Sequence, residues 1–387
     1  MKKFITIALI LMLVLVPFAG CGGSAPAPAA PAEPTPAAPA EPAPAPEAPA
    51  EGGSKPYIAV ISKGFQHQFW QTVYKGSQDA AEKHNVEITF EGPPSESDIG
   101  VQVDMVNAAL AKNPAALCLA ALDTQSLDSQ LHQAMSSGIP VVGFDSGVPD
   151  APAGSIVSTA KTNNEEAGAL GAEEMFKEAG IAAKISGATA DAPVIIGVLS
   201  QDATSDSIVG RTRGFVDKFI ELAEGVHAGG VEVTGHDVFN KPASGDAVVT
   251  ILVSVPPSPN SADLQAAAQT MLQNTSNLVG VFCSNEGAVG GVLAATNDGT
   301  DLDRENGRYS DLIVIGFDAG SVQKNAVKNQ YFYGAITQDP YMIGFLAVEL
   351  AFKAINGEPV DELVDTGAKF YNHANMDQPD IAQLLYD

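Results

Sequence analysis

Polar side chains suited to binding a small ligand follow the ends of short apolar runs in this chain. Asp145 and Asp318 each follow such a run, and Asn285 follows another. An ionised carboxylate accepts several hydrogen bonds, which suits neighbouring hydroxyl groups, whereas an amide both donates and accepts. We therefore expect these side chains, together with Gln338, to bind a polyhydroxylated molecule.

Aromatic and charged side chains near the first apolar run extend this set. Phe69 and Trp70, the only tryptophan, offer ring faces against which the apolar face of a ligand ring packs. Because adjacent helical positions point about 100° apart, we do not expect both rings to face one site fully. Lys63 is a point-charge donor. The predicted ligand-binding residues are Lys63, Gln66, Phe69, Trp70, Asp145, Asp206, Arg211, Asn285, Asp318 and Gln338.

Several of these residues also have a purely structural interpretation. An aspartate or asparagine that follows a strand often caps the next helix, so Asp145, Asp318 and Asn285 are either ligand-binding residues or N-caps. One of the two aromatic rings could simply pack in the core, and Lys63 could be merely solvated. These alternatives remain open at the level of the sequence.

Short apolar runs alternate with longer amphipathic ones from Tyr57 onward, which predicts strands alternating with helices. Strands are predicted at 57–62, 86–90, 116–122, 140–144, 194–200, 252–255, 278–283 and 312–317. Helices are predicted at 69–84, 99–112, 125–137, 205–223, 262–273 and 288–296. Such alternation gives parallel sheets covered by helices, with ligands bound beyond the carboxyl ends of the strands.

Two pairs of similar segments, in the same order, indicate a duplication. Ala-Val-Ile-Ser at 59–62 matches Gly-Val-Leu-Ser at 197–200, and Val-Val-Gly-Phe-Asp-Ser-Gly at 141–147 matches Val-Ile-Gly-Phe-Asp-Ala-Gly at 314–320. Residues 224–251 have no counterpart in the first half and are predicted to form an irregular or hairpin insertion. Two similar lobes would present their polar residues to one shared cleft, a preferred place for small molecules.

The N-terminal residues predict export and lipid anchoring. Residues 1–20 combine Lys2 and Lys3 with an apolar stretch and end in small residues before Cys21, as in a lipoprotein signal peptide. Acylated Cys21 would anchor the chain to the outer face of the cytoplasmic membrane. Residues 21–54 contain an Ala/Pro/Glu-rich stretch and are predicted to form an extended tether.

Charge and motif content exclude several classes of protein. The 387 residues carry a net charge of -26, which disfavours binding to nucleic acid. The sequence has no phosphate-binding glycine loop, no nucleophile elbow and no zinc-ligand spacing among its histidines, so we expect no enzyme, cofactor or metal. Cys118 and Cys283 lie in apolar runs and are predicted to be buried, unpaired thiols in different lobes.

These motifs together resemble the periplasmic sugar-binding proteins of the ribose-binding type, which have a type I fold. The resemblance covers about Lys55 to the C-terminus. It is carried by Ala-Val-Ile-Ser at 59–62 with Phe69 and Trp70, Ile-Pro-Val-Val-Gly-Phe-Asp at 139–145, Arg-Thr-Arg-Gly-Phe at 211–215, Phe-Cys-Ser-Asn-Glu-Gly-Ala at 282–288, Ile-Val-Ile-Gly-Phe-Asp at 313–318 and Gly-Ala-Ile-Thr-Gln-Asp-Pro at 334–340.

The resemblance implies an α/β fold of two similar Rossmann-like lobes with parallel sheets, joined by a three-crossover hinge near residues 159, 338 and 365. The lobes would be 55–159 plus 338–364 and 160–337 plus 365–387. They would close around a sugar-like ligand by hinge motion, and the closed form would deliver it to the permease subunits of an ABC importer. We expect the protein to be a monomer.

Some residues depart from the ribose binders and favour other ligands. Ser146 stands where those proteins have an arginine after the first-lobe aspartate, and Val209 stands where they have another. Lys63 paired with Asp145, and Phe-Glu-Gly-Pro at 90–93, also resemble receptors for a furanosyl autoinducer. A chemotaxis sensor would share the fold as well.

Overall fold

The computed structural model describes residues 55–178 and 180–386, and residues from Ser54 onward form one compact unit. The predicted signal peptide, Cys21 and tether therefore lie outside the described residues. The strands are β1 (Tyr57–Ile61), β2 (Glu87–Glu91), β3 (Ala116–Leu119), β4 (Val141–Phe144), β5 (Ile156–Lys161), β6 (Val194–Leu199), β7 (Val231–Thr234), β8 (Val249–Ser254), β9 (Leu278–Cys283), β10 (Ile313–Phe317), β11 (Gly334–Gln338), β12 (Leu363–Asp365) and β13 (Ala368–Tyr371).

Helices connect most of these strands. They are α1 (Gln68–His84), α2 (Ile99–Ala111), α3 (Asp128–Ser136), α4 (Asn164–Lys177), α5 (Ile181–Ser186), α6 (Asp206–Glu224), α7 (Ser261–Asn274), α8 (Glu286–Ala295), α9 (Ser321–Lys328), α10 (Pro340–Ile355) and α11 (Pro379–Ala382). None of these described helices is both long and apolar enough to cross a bilayer.

Two separate sheets organise the described chain into two lobes. The first sheet has the order β12-β5-β4-β3-β1-β2 and the second has the order β13-β11-β10-β9-β6-β8-β7. All pairings are parallel except that of β13 with β11. The chain passes from one sheet to the other after β5, after β11 and after β12. The predicted α/β class with two parallel-sheet lobes is confirmed.

The predicted strands and helices lie within three residues of the observed ends. The insertion is different from its prediction, because Val231–Thr234 forms the strand β7, parallel to β8 at the edge of the second sheet. Its alternation of buried and half-buried side chains matches a strand with one covered face. The antiparallel bridge between Val233 and Lys241 is the one hairpin-like contact in this segment.

In each lobe, a glycine in one helix allows the backbone of a second helix to approach closely. In the first lobe α10 crosses α1, and a Cβ added at Gly344 would lie 1.9 Å from the Val73 carbonyl oxygen. In the second lobe α6 crosses α4, and a Cβ added at Gly214 would lie 2.0 Å from the Glu165 carbonyl oxygen. Glycine lets the backbones approach this closely.

The two described cysteines are free and buried, as predicted, one in each sheet. Cys118 lies in β3 and its Sγ donates to the Ala347 carbonyl oxygen at 3.3 Å. Cys283 ends β9. Burial raises the pKa of both thiols well above the ordinary range.

Candidate ligand-binding site

A buried cavity lies between the two lobes, at the carboxyl ends of their parallel strands. Its lining residues are Lys63, His67, Phe69, Trp70, Glu96, Asp145, Ile208, Arg211, Asn285, Asp318 and Gln338. The cavity volume is about 20 Å³, roughly the space of one water molecule. The two lobes therefore pack closely together around this small space.

Eight of the predicted ligand-binding residues line this cavity, and Gln66 and Asp206 do not. Gln66 is exposed, on the turn before α1. Asp206 lies at the flank of the lobe contact, where it accepts a hydrogen bond from Lys161 and one from the Gly147 N–H at 3.2 Å. Its carboxylate therefore ties the lobes together instead of facing the cavity.

Asp145 follows β4 and has a left-handed backbone conformation, with φ of 56°, which aspartate tolerates better than most residues. The next described helix, α4, begins only at Asn164, so the capping interpretation is wrong for Asp145. Its Oδ2 lies 3.4 Å from Lys63 Nζ but has no hydrogen-bond donor among the described residues. Burial raises the pKa of Asp145, and the nearby charges of Lys63 and Arg211 oppose that shift.

Asp318 holds the matching place after β10, with φ of 77°. Its two oxygens are occupied: Oδ1 accepts from Gln338 Nε2 at 2.7 Å, and Oδ2 accepts from the Glu286 N–H at 3.0 Å. Arg211 Nη1 adds an ion-pair contact at 3.9 Å. Asp318 does not cap the helix that follows it, α9, but it does bind the first N–H of α8.

Asn285 caps a helix and also lines the cavity. It is the N-cap of α8, because its Oδ1 accepts from the Ala288 N–H at 3.0 Å. It also lines the cavity, and its Nδ2 donates to Gln201 Oε1 at 2.7 Å. The capping bond fixes which end of the amide faces the helix.

Arg211 and Lys63 supply the positive charge of the site, one from each lobe. The Arg211 guanidinium lies 4.0 Å from the Phe317 ring centroid, and its Nε donates to Asn164 Oδ1 at 2.8 Å. Lys63 Nζ donates across the cleft to Ser207 Oγ at 3.0 Å. Although burial lowers the pKa of Lys63, the carboxylates of Asp145 and Glu96 outweigh this effect and raise it.

Both aromatic residues line the same cavity, and both also pack in the apolar core. Their ring centroids are 5.0 Å apart and their planes meet at 88°, so one ring presents its edge to the other. Trp70 Nε1 donates to Glu96 Oε1 at 2.8 Å. The two rings therefore pack against each other at the start of α1, and whether both face a ligand stays a prediction.

Three lining residues, His67, Glu96 and Ile208, were not predicted. Glu96 lies on the loop beyond β2, so applying the strand-end rule to β2 as well would have found it. Imidazole Nε2 of His67 lies 3.9 Å from Glu96 Oε1. No group of three or more potential metal ligands occurs among the described residues.

At the mouth of the cleft, a side chain from each lobe accepts hydrogen bonds from the first N–H groups of a helix in the other lobe. The Glu286 carboxylate of the second lobe accepts from the Gln68 and Phe69 N–H groups at the start of α1, both at 3.4 Å. In return, Gln68 Oε1 accepts from the Ser321 N–H at the start of α9 at 2.7 Å. Each lobe thus satisfies unpaired helix N–H groups of the other.

The chain is similar to known proteins along most of its length. The family model described as periplasmic binding protein domain matches residues 58–359. The D-allose-binding periplasmic protein of Escherichia coli (strain K12) is 22% identical over 300 residues, which cover 76% of this chain and 83% of that protein.

Two solved structures are similar over most of the chain. One, from Brachyspira murdochii and described as an ABC transporter, LacI family transcriptional regulator, is 38% identical with a TM-score of 0.71, covering 86% of this chain and 99% of that one. The other is an ABC transporter solute binding protein from Agrobacterium vitis with bound D-fucose. It is 26% identical with a TM-score of 0.71, covering 85% of this chain and 100% of that one.

Proposed function

Because the chain belongs to the periplasmic binding protein domain family, we propose that it is the solute-binding lipoprotein of an ABC importer. It binds a monosaccharide or a similar small polyhydroxylated molecule between its lobes. The observation that carries this proposal is a pair of buried acceptors on residues that line the cavity, Asp145 Oδ2 and Gln338 Oε1. Neither accepts a hydrogen bond from the described residues, although Lys63 Nζ lies 3.4 Å from Asp145 Oδ2.

A ligand rich in hydroxyl groups would supply the missing donors. A buried acceptor without a donor costs about 1–3 kcal/mol, so a hydroxyl that reaches Asp145 Oδ2 or Gln338 Oε1 recovers part of that cost. Lys63 and Arg211 supply donors, and Phe69 and Trp70 supply apolar ring surface. Acceptors, donors and aromatic rings in one small cavity suit a compact polyol.

The similar proteins narrow the ligand class. The names of two of them specify D-allose and D-fucose, which are neutral monosaccharides. On this proposal, Cys21 carries the lipid anchor, the tether holds the lobes outside the cytoplasmic membrane, and the closed monomer engages permease subunits. Binding without chemical conversion makes the protein a carrier and not an enzyme.

A thermal-shift screen tests the proposal directly. The probes are D-ribose, D-allose, D-fucose, D-arabinose, polyols and nucleosides. A sugar present at 100 times its Kd adds about 2.7 kcal/mol of stability, and we expect such an increase for at least one monosaccharide. No shift with any of them, or conversion of a sugar into a product, would contradict the proposal.

A sensory receptor for a furanosyl autoinducer is the second candidate. The buried pair of Lys63 and Asp145, 3.4 Å apart within the cavity lining, favours it. The same screen separates the two functions, because a shift with the autoinducer and with no monosaccharide would select the receptor. A DNA-binding regulator of this fold is disfavoured by the net charge of -26.

A further inference from the structure

A continuous chain of four buried side chains crosses the cleft from one lobe to the other. Trp70 Nε1 donates to Glu96 Oε1 at 2.8 Å, and Gln201 Nε2 donates to Glu96 Oε2 at 2.7 Å. Asn285 Nδ2 then donates to Gln201 Oε1 at 2.7 Å. All four side chains are at least nine-tenths buried.

The direction of every hydrogen bond in this chain is fixed from its ends. At one end the indole N–H of Trp70 can only donate. At the other end the Ala288 backbone N–H donates to Asn285 Oδ1, which turns the amide so that Nδ2 faces Gln201. Gln201 must then present Oε1 to Asn285, and its own Nε2 to residue 96.

Residue 96 therefore receives one donor on each side and must accept with both of its terminal atoms. A carboxylate does this, whereas an amide would direct N–H against N–H at one end. We propose that Glu96 is the positioning residue of the binding site, which holds Trp70 of the first lobe in its ligand-binding orientation and connects it, through Gln201, to Asn285 of the second lobe. This inference rests on the proposed function of the site.

The surroundings of Glu96 keep its carboxylate ionised. Although burial raises the pKa of Glu96, the nearby Lys63 and His67 and the hydrogen bonds from Trp70 and Gln201 outweigh this effect and lower it. A protonated carboxyl would lose one of its acceptor positions, so the lowered pKa preserves the chain at neutral pH.

The backbone beside the chain leaves room only for this arrangement. A Cβ added at Gly287 would lie 2.4 Å from Gln201 Oε1 and 3.4 Å from the His67 ring. Any larger residue at 287 would push Gln201 away from Asn285. Gly287, at the start of α8, thus helps to keep Gln201 in contact with Asn285.

Glu96→Gln tests the proposal, with Glu87→Gln, an exposed glutamate of the same lobe, as the matched control. Trp70 is the only tryptophan, so its emission and acrylamide quenching report on the first link without any ligand. We expect Glu96→Gln to change the quenching constant at least twofold and to weaken binding of the most stabilising probe sugar, among D-ribose, D-allose and D-fucose, at least tenfold. Glu87→Gln should change neither.

The double variant Glu96→Gln/Gln201→Glu exchanges the amide and the carboxylate and again pairs every donor with an acceptor. We expect it to restore Trp70 quenching and sugar affinity to within about threefold of the parent, which a merely space-filling role for Glu96 would not produce. If Glu96→Gln does not fold, Gln201→Met removes the next link and should give the same two changes.

The proposal is overturned if Glu96→Gln matches Glu87→Gln in both measurements, or if the exchange variant is as defective as the single one. If no probe sugar binds the parent protein, the proposed function fails. The quenching comparison still decides whether Glu96 positions Trp70.

Discussion

The two lobes place the same segment at the same point and use its aspartate differently. Asp145 and Asp318 both follow the glycine–phenylalanine end of a central strand in a left-handed conformation. Asp318 is saturated by protein donors, from Gln338 and from the Glu286 N–H. Asp145 Oδ2 has Lys63 nearby but no hydrogen-bond donor among the described residues.

This difference shows that two similar lobes can use aspartates at equivalent positions for different contacts. The second-lobe aspartate accepts hydrogen bonds from Gln338 and from the start of α8, whereas Oδ2 of the first-lobe aspartate accepts none from the described residues. The helix pairs behind the sheets are alike by contrast, because both lobes use glycine to bring backbones together. The scaffold is therefore repeated while the site is asymmetric.

The largest expected effect tests the repeated scaffold. Gly344→Ala and Gly214→Ala would each place a Cβ within 2.0 Å of a carbonyl oxygen, and we expect each to destabilise its lobe by about 3 kcal/mol. Urea unfolding measures the loss. The matched control is Gly290→Ala in α8, where an added Cβ meets nothing within 4 Å and should stabilise the helix by about 0.5–1 kcal/mol. If either alanine variant is as stable as the parent protein, the two lobes do not depend on their glycines in the same way.

The next effect tests the asymmetry of the aspartates. Asp318→Asn removes the negative charge that faces Arg211 at 3.9 Å and that strengthens the hydrogen bonds from Gln338 and the Glu286 N–H, so we expect a loss of about 2 kcal/mol. Asp145→Asn displaces no protein donor and should change stability by less than half as much, because asparagine also tolerates the left-handed backbone. Urea unfolding of both variants provides the comparison, and equal losses would contradict it.

A third prediction uses pH to examine Asp145 alone. Burial raises its pKa in the folded protein, so the ionised carboxylate disfavours folding above that pKa, and the penalty is relieved as the pH falls toward the unfolded value of 3.8. The Tm of Asp145→Asn relative to the parent should therefore be most favourable at pH 7 and should decline toward pH 4. Asp150→Asn, at an exposed position of the same lobe, is the control. A difference that is independent of pH would refute the assignment.

The smallest expected effect concerns the exchanged helix caps. Glu286→Gln replaces one of the two carboxylate oxygens that accept from the Gln68 and Phe69 N–H groups by an amide N–H, which should cost about 0.5 kcal/mol. Because Glu286 belongs to the other lobe, the loss should appear as a larger fraction of open molecules in small-angle X-ray scattering. Glu358→Gln, at an exposed position after α10, is the matched control and should leave the scattering profile unchanged.

Several elements were not predicted, among them β5, α4, β11 and α10. The helix α10 was missed although it buries large apolar residues such as Ile343 and Leu350. The strand β5 and the helix α4 were missed because their buried positions hold small residues. In β5 the well-buried side chains are Ser158 and Ala160, and α4 buries mainly alanine and glycine. Small residues there permit close packing at the crossover, but they carry little hydropathy signal.

The site was predictable where a residue directly follows a strand and harder to predict where two lobes must meet. Asp145, Asn285 and Asp318 obey the strand-end rule. Glu96 lies in a loop with the composition of a solvated turn, and it is buried beside a residue 105 positions later, Gln201. Asp206 was predicted to bind the ligand because it follows a strand end, but its carboxylate accepts a hydrogen bond from Lys161.

The buried thiols allow the opening of each lobe to be measured separately. Cys118 and Cys283 lie in the central region of different sheets. Only an ionised, accessible sulfur reacts with a thiol-modifying reagent. Modification must therefore wait until the surrounding sheet opens, so mass spectrometry of each cysteine peptide gives two separate opening rates in one molecule. A bound sugar that slows both rates equally would show that capturing the ligand joins the two halves into a single kinetic unit.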